Sequence, residues 1–231
     1  IGLGLATGSA TSIAGTLTIN NTGSGKRVSL AATTSPTVAI GNLTVNGGEV
    51  NFTTGAGVPV VSVSGAVTLG GGTLAPVNGG TSATFNVGGN WVNNGGTFTP
   101  GTGTVTLNGS SAQTIDGSAS TTFNNLTLNN SAGASLGQAE TVNGTLMLAT
   151  GSLSSAGNLT LGNGATISRD TGTLDAAPNF GTTANVNYTG ATAVNTGYEI
   201  PASSTVLSNL TVNKSGGVTL TASPTVNGTL T

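Results

Sequence analysis

Six acidic side chains are present, few enough to weigh one by one: Glu49, Asp116, Glu140, Asp170, Asp175 and Glu199. Two carboxyl groups a few ångströms apart are the minimal machinery of glycoside hydrolysis, one as acid and the other as base or nucleophile. The densest set is Arg169, Asp170 and Asp175, and no cluster of Lys or Arg accompanies it. An ion pair in a loop accounts for that set more simply than catalysis does, and Asp116-Gly117 reads as a turn. The chain has no His and no Cys. Zinc and the other transition metals lack their usual ligands, and a nucleophilic triad lacks its base. The Gly-Gly-x-Gly-x-Asp phrase of calcium-binding β-rolls is absent. Neither a cofactor nor an enzymatic activity is expected.

Other chemistry-bearing residue types give equally plain readings. Gly70-Gly71-Gly72 has no following Lys and no helix to open, so it is a turn and not a phosphate loop. Thr16-Leu17-Thr18 and Thr97-Phe98-Thr99 resemble the water-ordering pairs of ice-binding surfaces, but their spacing is irregular and Thr is a good outward strand residue in any case. Trp91, Tyr188 and Tyr198 are able to stack on sugar rings, yet they are scattered, which suits core or loop roles. Asn-x-Ser/Thr phrases begin at Asn42, Asn51, Asn125, Asn158, Asn209 and Asn227. Asn stationed at the corners of a repeating structure explains them together. The only cations are Lys26, Arg27, Arg169 and Lys214, so no basic patch exists to neutralise phosphates and nucleic acid is excluded as a partner. No run of eighteen apolar residues exists to span a membrane as a helix.

The elements that position these residues are short strands. Apolar–Thr–apolar triplets recur, among them Leu17-Thr18-Ile19, Leu43-Thr44-Val45, Val67-Thr68-Leu69, Val105-Thr106-Leu107, Leu126-Thr127-Leu128 and Leu210-Thr211-Val212. Such alternation is the mark of half-buried strands. Gly or a β-branched residue interrupts every window that would hold a helix. Asn-Gly and Gly-Gly turns separate the strands, as at Asn143-Gly144, Asn163-Gly164 and Gly216-Gly217. With 39 glycines and only 4% charged residues the composition approaches low complexity, but the ordered placement of the apolar residues argues for a folded chain.

A longer repeat decides the architecture. The segment from Ser120 to Leu146 returns without gaps from Ser204 to Leu230, an offset of about 84 residues with roughly half of the positions identical. Asn125-Leu126-Thr127 reappears as Asn209-Leu210-Thr211, and Thr141-Val142-Asn143-Gly144-Thr145-Leu146 as Thr225-Val226-Asn227-Gly228-Thr229-Leu230. With strands recurring about every 20 residues, the unit reads as about four coils of a β-solenoid. The predicted fold is all-β, a parallel β-helix of about 20 residues per coil. One domain is expected over 1–231, with less regular coils over 1–65, regular coils over 66–231, and loop insertions near 170–183 and 189–204. Leu, Val and Ile point inward, Thr outward, and Asn and Gly take the corners.

The Asn-Leu-Thr-Leu-Asn, Val-Asn-Gly-Thr-Leu and Gly-Thr-Val-Thr-Leu-Asn-Gly phrases resemble those of repeat-rich bacterial surface and exported proteins, namely autotransporter passengers and filamentous-haemagglutinin-like adhesins. The resemblance covers nearly the whole chain and lies in the grammar of the repeat. It implies a right-handed parallel β-helix on the outside of a bacterial cell, a hand that the general crossover preference also favours.

The function expected on this basis is structural: a subunit or segment of a cell-surface fibre or filament. The chain begins at Ile1 and not Met, as a processed chain or a piece of a longer one would. Solenoid ends without caps expose strand edges, so Ile1, Leu3 and Leu5 at one end and Val226 and Leu230 at the other are expected to stack end to end, in a heterologous contact that does not close. The alternative is an adhesin passenger that binds a surface glycan or protein through loops bearing Arg169, Asp170, Asp175 and Tyr198. A carbohydrate-active enzyme and an ice-binding solenoid are less favoured.

Overall fold

Each apolar–Thr–apolar triplet is too short to bury a face by pairing with its sequence neighbour, but it pairs readily with its equivalent one coil away. The computed structural model describes residues 11–30, 37–52, 58–76 and 83–231, and there it is a β-solenoid with parallel strands and no helix. Three short strands, or positions equivalent to them, fall on three faces in each turn. The first turns hold β1 (Thr11–Ile19) with β2 (Arg27–Ser29) and β3 (Thr37–Val45) with β4 (Glu49–Asn51); β1 and β3 each bend to supply two faces. Next come β5 (Val60–Val63), β6 (Val67–Leu69) and β7 (Thr73–Ala75), then β8 (Thr84–Val87), β9 (Trp91–Asn93) and β10 (Thr97–Phe98). The series continues with β11 (Thr104–Leu107), β12 (Gln113–Gly117) and β13 (Thr122–Phe123), and with β14 (Asn125–Asn129), β15 (Ala134–Leu136) and β16 (Glu140–Val142). Beyond these lie β17 (Thr145–Thr150), β18 (Ser152–Ser154) and β19 (Leu159–Leu161), then β20 (Ala165–Arg169) and β21 (Thr173–Leu174). The final turns contain β22 (Ala184–Tyr188) with β23 (Val194–Asn195), and β24 (Leu207–Val212) with β25 (Val218–Thr219).

The first two faces join in one 16-stranded sheet. The first face passes without a break from β1 through β3, β5, β8, β11, β14, β17, β20 and β22 to β24. The second runs from β1 and β3 through β6, β9, β12, β15 and β18 to β21. About eight turns of roughly 22 residues result, slightly longer than the 20 that the repeat predicts. The excess has a location. Val67 faces Trp91 and Trp91 faces Ile115, 24 residues apart each time, whereas Leu126 faces Leu146 after 20.

The third face is discontinuous. It runs β2–β4–β7–β10, stops, and resumes as β13–β16–β19. The stop lies where turns of 24 residues give way to shorter ones. Here Ala119 donates its N–H to the Asn93 carbonyl and the Asn93 side chain donates to the Ser120 carbonyl, so loop and side-chain bonds replace a strand pair.

Inward positions bear out the sequence pattern. Leu43, Val67, Ile115, Leu126, Leu146 and Ile167 are buried, and the Thr residues between apolar positions point outward. Burial of each such side chain contributes about 1.5–3 kcal/mol. One large apolar cluster extends from Ile19 to Leu174, and a separate small one is made by Val186, Tyr188, Leu207 and Leu210. Phe52, Phe85, Trp91, Phe98 and Phe123 gather within the large cluster in edge-to-face or tilted contacts, with Trp91 5.3 Å from Phe123 between ring centres.

The corners behave as the repeated asparagines predict. The Asn42 carbonyl oxygen of the side chain accepts the N–H of Ala66, that of Asn125 accepts from Thr145, and that of Asn209 accepts from Thr229. In each case the donor is the residue facing the asparagine on the following turn, so the side chain supplies the bond that the bent backbone omits. Glycine is required where the next turn passes too close for a Cβ. At Gly151, φ is +83° and a Cβ would fall 1.9 Å from the Asn130 carbonyl oxygen.

Residues 170–183 are not the protruding insertion that the sequence suggests. They hold β21 and the bridge from Thr160 to Asn179, and close a turn of ordinary length. The longer excursion is the other one: β22 and β24 are in register with Val186 opposite Leu210, 24 residues on, and no strand lies between β23 and β24.

Candidate functional site

Alternation along β20 places Ala165, Ile167 and Arg169 on the inward side, so a guanidinium enters the core. It meets Glu199, which the 189–204 excursion folds inward. The Arg169 Nη1 donates to Glu199 Oε1 and to the Asn195 carbonyl, and its Nε donates to the Gly172 carbonyl at 2.8 Å. Glu199 Oε1 also accepts from the Tyr188 hydroxyl at 2.7 Å and from the Gly197 N–H at 2.9 Å. Burial, then the charge and hydrogen bond of Glu199, push the Tyr188 phenol well above its ordinary pKa, and Arg169 opposes them only in part. Tyr188 is therefore a fixed donor. Beside this group, the buried Lys214 Nζ donates to Asp170 Oδ1 at 2.9 Å and to the Thr189 carbonyl.

This pairing corrects the sequence expectation. Arg169, Asp170 and Asp175 do not form a common loop ion pair: Arg169 pairs with Glu199, Asp170 with Lys214, and Asp175 with two serines. Asp175 Oδ1 accepts the Ser155 N–H at 2.7 Å and Oδ2 accepts the Ser154 hydroxyl at 2.8 Å. Desolvation raises its pKa, but the Ser155 N–H and the two serine hydroxyls together outweigh it and hold the carboxyl below the usual aspartate range. Of the four proposed loop-contact residues, Tyr198 and Asp175 are exposed, Asp170 is partly so, and Arg169 is buried. Val226 packs against the small cluster and Leu230 is 67% exposed, bridged to Leu210. Ile1, Leu3 and Leu5 lie outside the described residues.

A second polar inclusion was not singled out by sequence reasoning. Glu140 opens β16 on its inward side and is 1% exposed. Its Oε2 accepts the Thr121 N–H, and Thr121 Oγ1 in turn accepts from Trp91 Nε1 at 3.1 Å and from the Asn93 amide. Oε1 is buried without a hydrogen-bond partner. Desolvation, with a smaller contribution from the charge of Asp116, raises the pKa from 4.5 to about 7 against the N–H and hydroxyl of Thr121, which lower it. Alternation held the signal, since Glu140-Thr141-Val142 lies opposite Leu159-Thr160-Leu161. In the second copy of the long repeat its place is taken by Pro224.

Among the described residues no three acidic side chains converge on a point that would hold a metal ion, and no helix is long and apolar enough to cross a membrane. A concavity of about 460 Å³ is an open groove along the corner between the first and second faces, lined by residues such as Ser12, Ile40, Ser62, Asn86 and Asn108. The architecture thus defines the class of this protein as a parallel β-solenoid. No family model, no curated protein and no solved structure matches the chain.

Proposed function

We propose that this chain is a structural β-solenoid, a subunit or segment of an extracellular fibre or filament on a bacterial surface. The observation that supports it is the first-face ladder, which continues in parallel register from β1 to β24 over one apolar core and then a second. Such a rod resists bending because each turn is hydrogen-bonded to two others along its length. A surface with only 4% charged residues permits close axial and lateral packing. Val226 and the exposed Leu230 are the axial contacts of this reading.

Electron microscopy of the native protein tests it. Rods or filaments with a 4.8 Å axial repeat in fibre diffraction are expected; monodisperse short particles at every concentration overturn the filament. The alternative reading, an adhesin, draws on the exposed Tyr198 in the 189–204 excursion. It requires saturable binding to a surface glycan or protein that Tyr198→Ala weakens.

A further inference from the structure

The third-face break between β10 and β13 is closed by side chains, and their chain of bonds ends on Glu140. Trp91 and Asn93, one turn before, donate to the Thr121 hydroxyl; the Thr121 N–H then donates forward to Glu140, one turn after. Three turns are joined through one residue where the strand ladder is missing. Glu140 is the weak member of this chain. Its only polar support comes from one residue, the Thr121 N–H on Oε2 with the Thr121 hydroxyl beside it, and Oε1 is buried with no partner.

The surroundings decide which form of the carboxyl group is compatible with closure. Leu159 of β19 faces Glu140, the Asn158 carbonyl takes its N–H, and Thr121 covers it from the preceding turn, all without charge. The charged group that acts on it is Asp116 at the end of β12, which is acidic too. No cation is near enough to be among those influences. A neutral carboxylic acid is accommodated here. A carboxylate must be hydrated at Oε1, because burying an ion without a partner is far costlier than burying the acid.

We propose that Glu140 is a pH-sensitive clasp: as the neutral acid it closes the break in the third face, and on ionisation it draws in water and loosens the Thr121–Phe123 segment from the Trp91 layer. The sign follows from linkage. The folded chain retains a proton between pH 4.5 and about 7 that the unfolded chain has lost. Stability from this group is therefore full below pH 4.5, declines through that window and reaches its lower plateau above it. The folding equilibrium constant is expected to drop by on the order of a hundredfold across the window.

Trp91 is the sole tryptophan and reports the event directly. Trp91 fluorescence, and exchange of the Thr121 amide corrected for base catalysis, are followed from pH 5 to 8.5 in the full chain and in Glu140→Gln. A coincident transition near neutrality in the wild type, absent in the variant, is expected. A flat wild-type profile, or the same transition in Glu140→Gln, overturns the proposal. Infrared spectroscopy keeps it testable should the variant not fold: the wild type must show a protonated carboxyl band at pH 6 that disappears by pH 8.5. Absence of that band at pH 6 also overturns it.

Discussion

Glu140 and Glu199 are both glutamates buried in one solenoid, each with one carboxyl oxygen that lacks a hydrogen-bond partner, and they differ in what faces the other oxygen. Three donors converge on one oxygen of Glu199, and one of them is the Arg169 guanidinium. Glu140 receives one backbone N–H and lies near another acid. Glu199 serves as the anchor of an excursion: it ties residues 195–199 to β20 across 30 residues, between the large apolar cluster and the small one. Glu140 serves as a join whose strength depends on a proton. The difference teaches that a buried charge in a repeat scaffold is fixed by the counter-charge that the adjacent turn provides.

The comparison breaks most forcefully at Arg169. Arg169→Met leaves Glu199 buried without its cation and should destabilise the chain by about 3–5 kcal/mol, read by chemical denaturation. Adding Glu199→Gln to that variant should recover part of the loss, because the orphan charge is then gone. Thr121→Val at the other inclusion removes the hydroxyl that serves Trp91 and Asn93, at a cost of about 1–3 kcal/mol, with a changed Trp91 emission as its signature. A corner outside both inclusions should respond less: Asn125→Ala leaves the Thr145 N–H unpaired and should cost about 1 kcal/mol. The smallest effect concerns the exposed Asp175. Its NMR titration should fall below the ordinary aspartate range, and Ser154→Ala should raise it. Its linkage runs opposite to that of Glu140, since the contribution of a depressed carboxyl is present above its unfolded pKa and is lost as pH falls through the folded value.

Much of this fold is legible in the chain because the rules that set it are local. Leu126-Thr127-Leu128 states inward, outward, inward, and the structure places it so. Asn125 and Asn209 state corners, and their side chains replace missing ladder bonds. The extra length of the early turns is legible too, in the wider spacing of Leu17, Leu43 and Val67; the close passage of Gly47 and Gly48 over the preceding coil is not. The polar inclusions were read least well. Arg169 finds Glu199 and not the adjacent Asp170, since a side chain that alternation sends inward meets whatever another turn folds over it. Glu140 passed as an isolated acid in sequence, although its phase in the strand assigns it to the core.

The corner asparagines give the rod a direction. Their side-chain carbonyls accept from the turn that follows, as at Asn42, Asn90, Asn94, Asn125, Asn163 and Asn209. Their amide groups donate to the turn before, as Asn125 does to the Thr102 carbonyl, Asn158 to Leu136 and Asn185 to Gly164. At these corners each coil presents side-chain acceptors to its successor and side-chain donors to its predecessor. Successive coils are therefore keyed head to tail at these corners, and the two faces of a coil offer different chemistry to whatever stacks on them, acceptors on one and donors on the other.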